Sequence, residues 1–490
     1  MHITIINPNN VTQKGDFFGT GIPYMPIIPA YLAAYLTKQN HSVQVIDAFG
    51  ENTSQKRVIG EFIIRGLTIY EIVAKIKPET NLICLYAGHV VEHNVLIEII
   101  KEIKLKFNCP IAIIENSQAV TSYSLLRVKE LFFKEGADFI VYGEPEVTVG
   151  ELIQNLNKHA FSKIKGLIYK EKKTNNICVN LRREQIHNLD ILPFPAWDLF
   201  PVQNYWNLGY SHAPFIGKYM PLLTSRGCVY SCRFCIIPQV NQKKWYARSA
   251  KNVFDEMLFL QNNYDIKDFH IEDLNSTIDK KRIQELCNLI ISNNLNVTLK
   301  FASGIKIETL DEETLLLLKK AGCSYISFSP ESGSTNVLNL MNKPFNHDYG
   351  IKMLKSMHKL GITTQACFIL GFPGENQEDI RMTQKYLFQL FRNGLNETAI
   401  LIMTPVPGSE PYEVLQMSLE DLSKLTFSPK WRDNYAYLNR IRMKMYIYAY
   451  LIKMIFHPID FCSSIAGLIT HKFKTKVEMT LYRLFKTYRL

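Results

Sequence analysis

The chain has 490 residues, of which 47% are hydrophobic and 21% charged, and a formal net charge of +11. That length exceeds one ordinary core, so two or three domains are expected, and the composition excludes an intrinsically disordered chain. The modest positive charge permits an anionic partner without demanding one, and no apolar run approaches the ~18 residues of a membrane span.

In chain order, His2 to Ile6 is a short apolar run broken by Asn7-Pro8-Asn9-Asn10 and reads as a buried strand ending in a loop. Ile27 to Leu36 has helical spacing, with Pro29 in its first turn. Val43 to Ile46, Leu82 to Tyr86, Ile111 to Ile114 and Phe139 to Tyr142 are further strands, with a helix over Asn94 to Lys106. This alternation predicts an open parallel, Rossmann-like sheet over residues 1–155. Ligands of such sheets sit beyond the carboxyl ends of the strands, so the loops after Ile6, Ile46, Tyr86 and Ile114 are candidates. Residues 156–215 read as a linker, with half a hairpin at Gly166 to Tyr169 and two prolines in Leu192-Pro193-Phe194-Pro195.

Over residues 216–415, strands and helices alternate again. Strands at Asp268 to Ile271, Val297 to Ala302, Tyr325 to Phe328, Thr363 to Leu370 and Thr398 to Met403 each precede a polar or glycine-rich turn. This predicts a partial or full (β/α) barrel with its chemistry on that face. Residues 416–490 read as a helical region rich in aromatic and basic residues, compatible with helices packed on their own domain with a solvated face, with contact to an anionic membrane surface, or with a hydrophobic substrate.

The chemistry concentrates in Thr224-Ser225-Arg226-Gly227-Cys228-Val229-Tyr230-Ser231-Cys232-Arg233-Phe234-Cys235. Cys228, Cys232 and Cys235 can reach one inorganic cluster from a single loop, one thiolate short of the four that usually close an iron–sulfur cube. The open iron would then accept another ligand. The other seven cysteines are scattered, and Met1-His2-Ile3-Thr4 carries no secretory signature; both point to a reducing cytoplasm.

The triplet, with Phe234 before its last cysteine, resembles the cluster loop of the radical S-adenosylmethionine (SAM) superfamily. Glu272-Asp273, Glu331-Ser332-Gly333 and Gly371-Phe372-Pro373-Gly374-Glu375 fall where that superfamily places them. The leading sheet, the proline-rich linker and Gly143-Glu144-Pro145-Glu146 resemble the subgroup that carries a cobalamin-binding domain ahead of the barrel. The resemblance implies that the cysteines hold a [4Fe–4S] cluster whose fourth iron is chelated by SAM. Reductive cleavage of SAM then yields a 5′-deoxyadenosyl radical, fed by an external electron donor such as flavodoxin or ferredoxin. It also implies that Glu272 and Asp273 lie near the SAM amine, Glu331 and Ser332 near its ribose or methionine portion, and Gly371 and Gly374 near the adenosyl group. Arg248 lies where relatives often have a basic residue before a helix.

Two departures concern the first domain. The Asp-x-His-x-x-Gly cobalt-ligand motif is absent, leaving His89 and His93 as loop histidines, and Glu115-Asn116 stands where many relatives have paired glycines. The expected activity is cobalamin-dependent methyl transfer to an unactivated carbon of a small or hydrophobic molecule, with no nucleic-acid partner. Oxidative cyclisation or carbon–carbon bond formation without methyl transfer is the alternative within the superfamily. A non-catalytic iron–sulfur sensor or electron carrier is the alternative outside it.

Overall fold

The computed structural model describes all residues except 17, 18, 172, 173, 415–420, 489 and 490. Strands His2–Asn7, Ser42–Asp47, Leu82–Ala87, Ile111–Glu115 and Phe139–Val141 form the expected parallel sheet. Leu82–Ala87 and Ile111–Glu115 are buried along their whole lengths, as strands covered by helices on both faces must be. The domain boundary expected at residue 155 moves. Leu167–Lys170 and Ile177–Val179 pair antiparallel onto Phe139–Val141 and extend this sheet to seven strands. A separate three-stranded sheet of Asn10–Gln13, Lys56–Ile59 and Phe62–Arg65 did not emerge from the sequence pattern. Its strands are four residues long and interrupted by polar side chains, so no clear period develops.

The second sheet has six parallel strands in sequential order: Tyr219–Leu222, Asp268–Ile271, Thr298–Ile305, Cys323–Glu331, Thr363–Leu370 and Glu397–Ile402. It is an open, partial barrel among the described residues. The helices between its strands begin where short polar side chains can accept from free backbone N–H groups. Ser249 accepts from Asn252, Asp279 from Arg282, Asp311 from Thr314, and Asn376 from Asp379. The proline-rich connection crosses from one domain to the other. Trp197 is fully buried in the barrel-side core, and the Ala196 N–H donates to the Ala30 carbonyl at 3.1 Å.

Helices Tyr435–Phe456, Pro458–Thr470 and Lys476–Tyr488 follow, and the sequence boundary at 415/416 lies outside the described residues. The last helix seals one side of the barrel. Buried Glu397 accepts from the Lys476 and Val477 N–H groups at 2.9 and 2.8 Å and from the Tyr325 hydroxyl at 2.6 Å. A carboxylate at a helix N-terminus satisfies free donors and complements the helix dipole.

Candidate active site at the domain junction

Gly227 launches the cysteine loop for a steric reason. Its φ is +84°, and a Cβ there would stand 2.1 Å from the Lys244 carbonyl oxygen, so only glycine fits. The preceding strand, Ser225–Gly227, pairs antiparallel with Trp245–Ala247, which returns the loop to its origin. Both domains hold it in place. The Gly227 N–H donates to Gln118 Oε1 at 3.1 Å, and Asn241 Nδ2 to the Ser117 carbonyl at 2.7 Å. From the barrel side, Arg233 N–H donates to the Met341 carbonyl at 2.9 Å and Asn342 Nδ2 to the Ser231 carbonyl at 3.0 Å.

Cys228, Cys232 and Cys235 line a cavity of about 330 Å³. All three are free, burial raises each thiol above its ordinary range, and the Ile237 N–H donates to Cys235 Sγ at 3.4 Å. A metal cation opposes that burial effect, because it stabilises the thiolates as its ligands. Three free thiols on one cavity wall thus fit as ligands of an iron–sulfur cluster.

The facing wall follows the two-residue period of strands. Ser327, Ser329 and Glu331 come from one strand, Gln365, Cys367 and Ile369 from the next, and Ala399 and Leu401 from the last. Glu331 sits at φ +65°, at a register shift in its strand, and pairs with Lys343. A non-glycine residue in the left-handed region costs conformational energy, and it places this carboxylate on the wall.

The last helix also contributes. Lys476 Nζ donates to the Ala302 carbonyl at 2.7 Å and lies 3.4 Å from His212 Nε2. On the other side of that imidazole, His212 Nδ1 is 2.7 Å from Glu272 Oε2, which also accepts from Ser303 Oγ at 2.8 Å. Burial alone would raise the Glu272 carboxyl, but His212 and these hydrogen bonds outweigh it and hold the group below its ordinary value.

A second cavity of about 160 Å³ lies along the carboxyl edge of the first sheet. All four loops singled out from the sequence reach it, through Asn7 to Asn10, Phe49, Gly88 with His89, and Asn116 with Gln118. The two cavities share Tyr24, His89 and His212, whose rings lie 5.1 and 4.7 Å from that of Tyr24.

The sequence candidates divide between wall and support. Phe234 and Glu331 line the larger cavity, and Glu272 the smaller. Phe234 packs beside Leu340 and Met341, with Lys343 Nζ 5.8 Å from its ring. Asp273, Ser332, Gly371 and Gly374, expected near SAM, are not among the residues that line either cavity, and their contacts lie with neighbouring elements. Asp273 accepts from Thr224 N–H and Oγ1, both at 2.6 Å, and from Ser225 Oγ at 2.5 Å, bracing the strand before the cysteines. Ser332 Oγ lies 2.9 Å from Thr383 Oγ1. Gly371 and Gly374 form a tight turn packed on Leu438 and Leu340. Arg248 is buried against Glu256 and the Tyr31 hydroxyl, so it joins the two domains.

His93 is a core residue, stacked edge-on against Tyr123 and Phe132. His89 is on the wall, with Nδ1 2.6 Å from Thr121 Oγ1, and burial lowers it to about 4. Glu115 is fully buried and accepts from the Leu125 and Gly143 N–H groups at 2.9 and 2.7 Å. Tyr24, His212, Lys343, Cys367 and Lys476 were not singled out from the sequence. Cys367 was the accessible one, because it alternates with Gln365 and Ile369 along a strand read correctly.

Glu92 faces both cavities, and burial pushes its carboxyl up to about 8 against the opposing bond from the His89 N–H at 3.0 Å. The folded-state value exceeds the unfolded one, so its stabilising contribution is complete below pH 4.5 and is lost as pH rises to about 8. Thermal unfolding should show Glu92→Gln gaining on the unsubstituted protein through that window, by roughly 5 kcal/mol at most, and then levelling off. Parallel pH profiles would rule out the elevated value.

Residues 222–387 match the family model described as the Radical SAM superfamily. The chain is 28% identical over 415 residues to an uncharacterized methyltransferase of Pyrococcus horikoshii, covering 84% of this chain and 83% of that one. It is 25% identical over 428 residues to the cytidylyl-2-hydroxyethylphosphonate methyltransferase of Streptomyces wedmorensis, covering 79% and 76%. Its fold is similar to that of the radical SAM methyltransferase TsrM of Kitasatospora setae, solved with tryptophan and the SAM analogue aza-SAM. The TM-score is 0.64 at 17% identity, over 85% of this chain and 76% of that chain. TsrM solved with cobalamin and a [4Fe–4S] cluster gives 0.62 at 17% identity, over 84% and 73%. With its cysteine loop at the mouth of a parallel partial barrel, the protein is a radical SAM enzyme. It carries a domain of the Radical SAM superfamily over residues 222–387 and, ahead of the barrel, an N-terminal parallel sheet whose fold is similar to that of TsrM.

Proposed function

We propose that this enzyme is a cobalamin-dependent C-methyltransferase in which Cys228, Cys232 and Cys235 bind the [4Fe–4S] cluster. One observation carries the reading. The wall bearing the three cysteines continues, through Tyr24, His89 and His212, into the cavity at the carboxyl edge of the first sheet. The methyltransferase names of the two relatives, and the groups bound in the TsrM structures, support it. When bound, the cluster and SAM would supply one-electron cleavage of a carbon–sulfur bond, and cobalamin a transferable methyl group.

The chain's own residues would position and shield these groups. The Glu331–Lys343 pair offers opposite charges suited to the amine and carboxylate of SAM. His212 and Ser303 keep Glu272 ionised and oriented. Ile305, Leu401 and Val406 give the chamber an apolar side for a small hydrophobic substrate. The electron would come from an external donor such as flavodoxin or ferredoxin. Anaerobic reconstitution with iron, sulfide and hydroxocobalamin, followed by SAM and a reductant, should yield S-adenosylhomocysteine beside 5′-deoxyadenosine. 5′-Deoxyadenosine alone would transfer the reading to a cyclisation or carbon–carbon bond-forming reaction. A reduced cluster whose spectrum ignores SAM would leave only an electron carrier.

Among the described residues no single helix is long and apolar enough to cross a membrane. Peripheral membrane contact is part of the proposal. Ile447, Leu451 and Ile455 are exposed at four-residue spacing, Phe456, Ile459 and Ile469 extend the apolar surface, and exposed Lys444, Lys472 and Lys474 flank it. The basic Arg489 lies outside the described residues. The protein should co-sediment with anionic liposomes, and Ile447→Ser with Ile455→Ser should weaken this several-fold. No sedimentation of the unsubstituted protein would remove the membrane reading.

A further inference from the structure

Away from the chamber, His358, His457 and Asp460 bring two imidazoles and a carboxylate together, with one ligand atom of each within 4.8 Å of the others. They come from separate elements. His358 lies near the end of the barrel helix His347–Lys359, His457 sits at the break between two C-terminal helices, and Asp460 is in the first turn of the second. Those two helices meet at a bend of 116°.

The surroundings suit a metal centre. His457 Nε2 lies 3.1 Å from the Arg392 carbonyl, which can only accept, so this nitrogen carries the proton and Nδ1 keeps its lone pair. A backbone carbonyl orienting the far nitrogen in this way is the usual outer partner of a metal-binding histidine. The His358 ring occupies space that only a glycine leaves open: a Cβ on Gly394 would stand 2.4 Å from His358 Cγ. The two rings are 5.0 Å apart and inclined at 70°, an edge-to-face arrangement.

We propose that His358, His457 and Asp460 bind a divalent zinc ion that fixes the C-terminal helix pair against the barrel. Two imidazoles, a carboxylate and a water match zinc's preference for four nitrogen and oxygen ligands. The ion fixes the bend and hence the angle at which the exposed apolar helix face, with Ile455 and Ile459 next to the site, leaves the protein. No residue of the cysteine loop takes part, so the site stands independently of the reaction proposed above.

The test uses the full-length, cluster-loaded protein, exposed to zinc chloride and passed over a chelating resin before elemental analysis. The unsubstituted protein should retain about one zinc per chain, the stoichiometry of a single three-ligand site. His358→Gln and Asp460→Asn should both lose it while keeping the same iron content. Because His358 is exposed and Asp460→Asn preserves shape, equal iron also reports that both variants are folded. Zinc should raise the unfolding temperature of the unsubstituted protein and leave that of each variant unchanged. Equal zinc in all three proteins, or an equal thermal response, overturns the proposal.

Discussion

Cys232→Ala is expected to lower reductive SAM cleavage at least about 100-fold, since even the outer partners of metal ligands are worth 10–100-fold in affinity or activity. The cysteine lies between Cys228 and Cys235 on a loop held by the hydrogen bonds from the Gly227 N–H to Gln118 Oε1 and from the Arg233 N–H to the Met341 carbonyl, and no other cysteine of the loop can replace it. Iron content after reconstitution should fall with activity, while Cys462→Ser, at an exposed cysteine of the C-terminal helices, should change neither. Anaerobic assays of 5′-deoxyadenosine and iron check both. Unchanged SAM cleavage in Cys232→Ala would sink the cluster assignment.

Arg226→Met is expected to cost about 3–5 kcal/mol of stability, the usual penalty for removing one member of a buried ion pair. Arg226 donates to Glu146 Oε1 at 2.7 Å and Oε2 at 3.2 Å, approaches Glu144 Oε1 at 3.5 Å, and lies over the Tyr31 ring at 5.1 Å. Glu144 and Glu146 belong to the first domain and Arg226 to the strand that leads into Cys228, so the pair closes the domain junction. Arg226, Glu144 and Glu146 are all nearly inaccessible, which removes solvent screening from the argument. Burial already raises the Glu144 carboxyl, and Arg226 is the largest opposing influence. Without the arginine that carboxyl rises further, so the loss should be greatest at neutral and alkaline pH and shrink as acid protonates it. Urea unfolding at two pH values measures this, and adding Glu144→Gln and Glu146→Gln should restore part of the loss. A Met variant as stable as the parent would show that the junction does not depend on the pair.

Elements with one clear period were the legible ones. The strand Thr363–Leu370 matches the sequence reading to the residue, because its apolar and β-branched run is bounded by glycine on both sides. The hairpin assigned to the linker was misplaced, because an antiparallel edge strand looks the same whether it stands alone or completes a sheet. The same limit applies at the site. Glu272 and Asp273 are neighbours in sequence with equal claims to a ligand, yet one faces a cavity and the other braces Thr224. Adjacent residues at a strand end point to opposite sides, and the sequence alone does not say which side holds the chamber.

By itself the sequence determined what short-range chemistry controls: the cysteine triplet with its glycine, two successive α/β units, and the strand-end loops that line the cavities. Only the tertiary structure decided that those loops share a wall with the triplet, that Arg226 and Arg248 join the domains, and that Lys476 returns from the last helix to the chamber. Residues hundreds of positions apart leave no periodic trace of their meeting. Their contacts follow from how the two sheets and the C-terminal helices bury their apolar faces against one another.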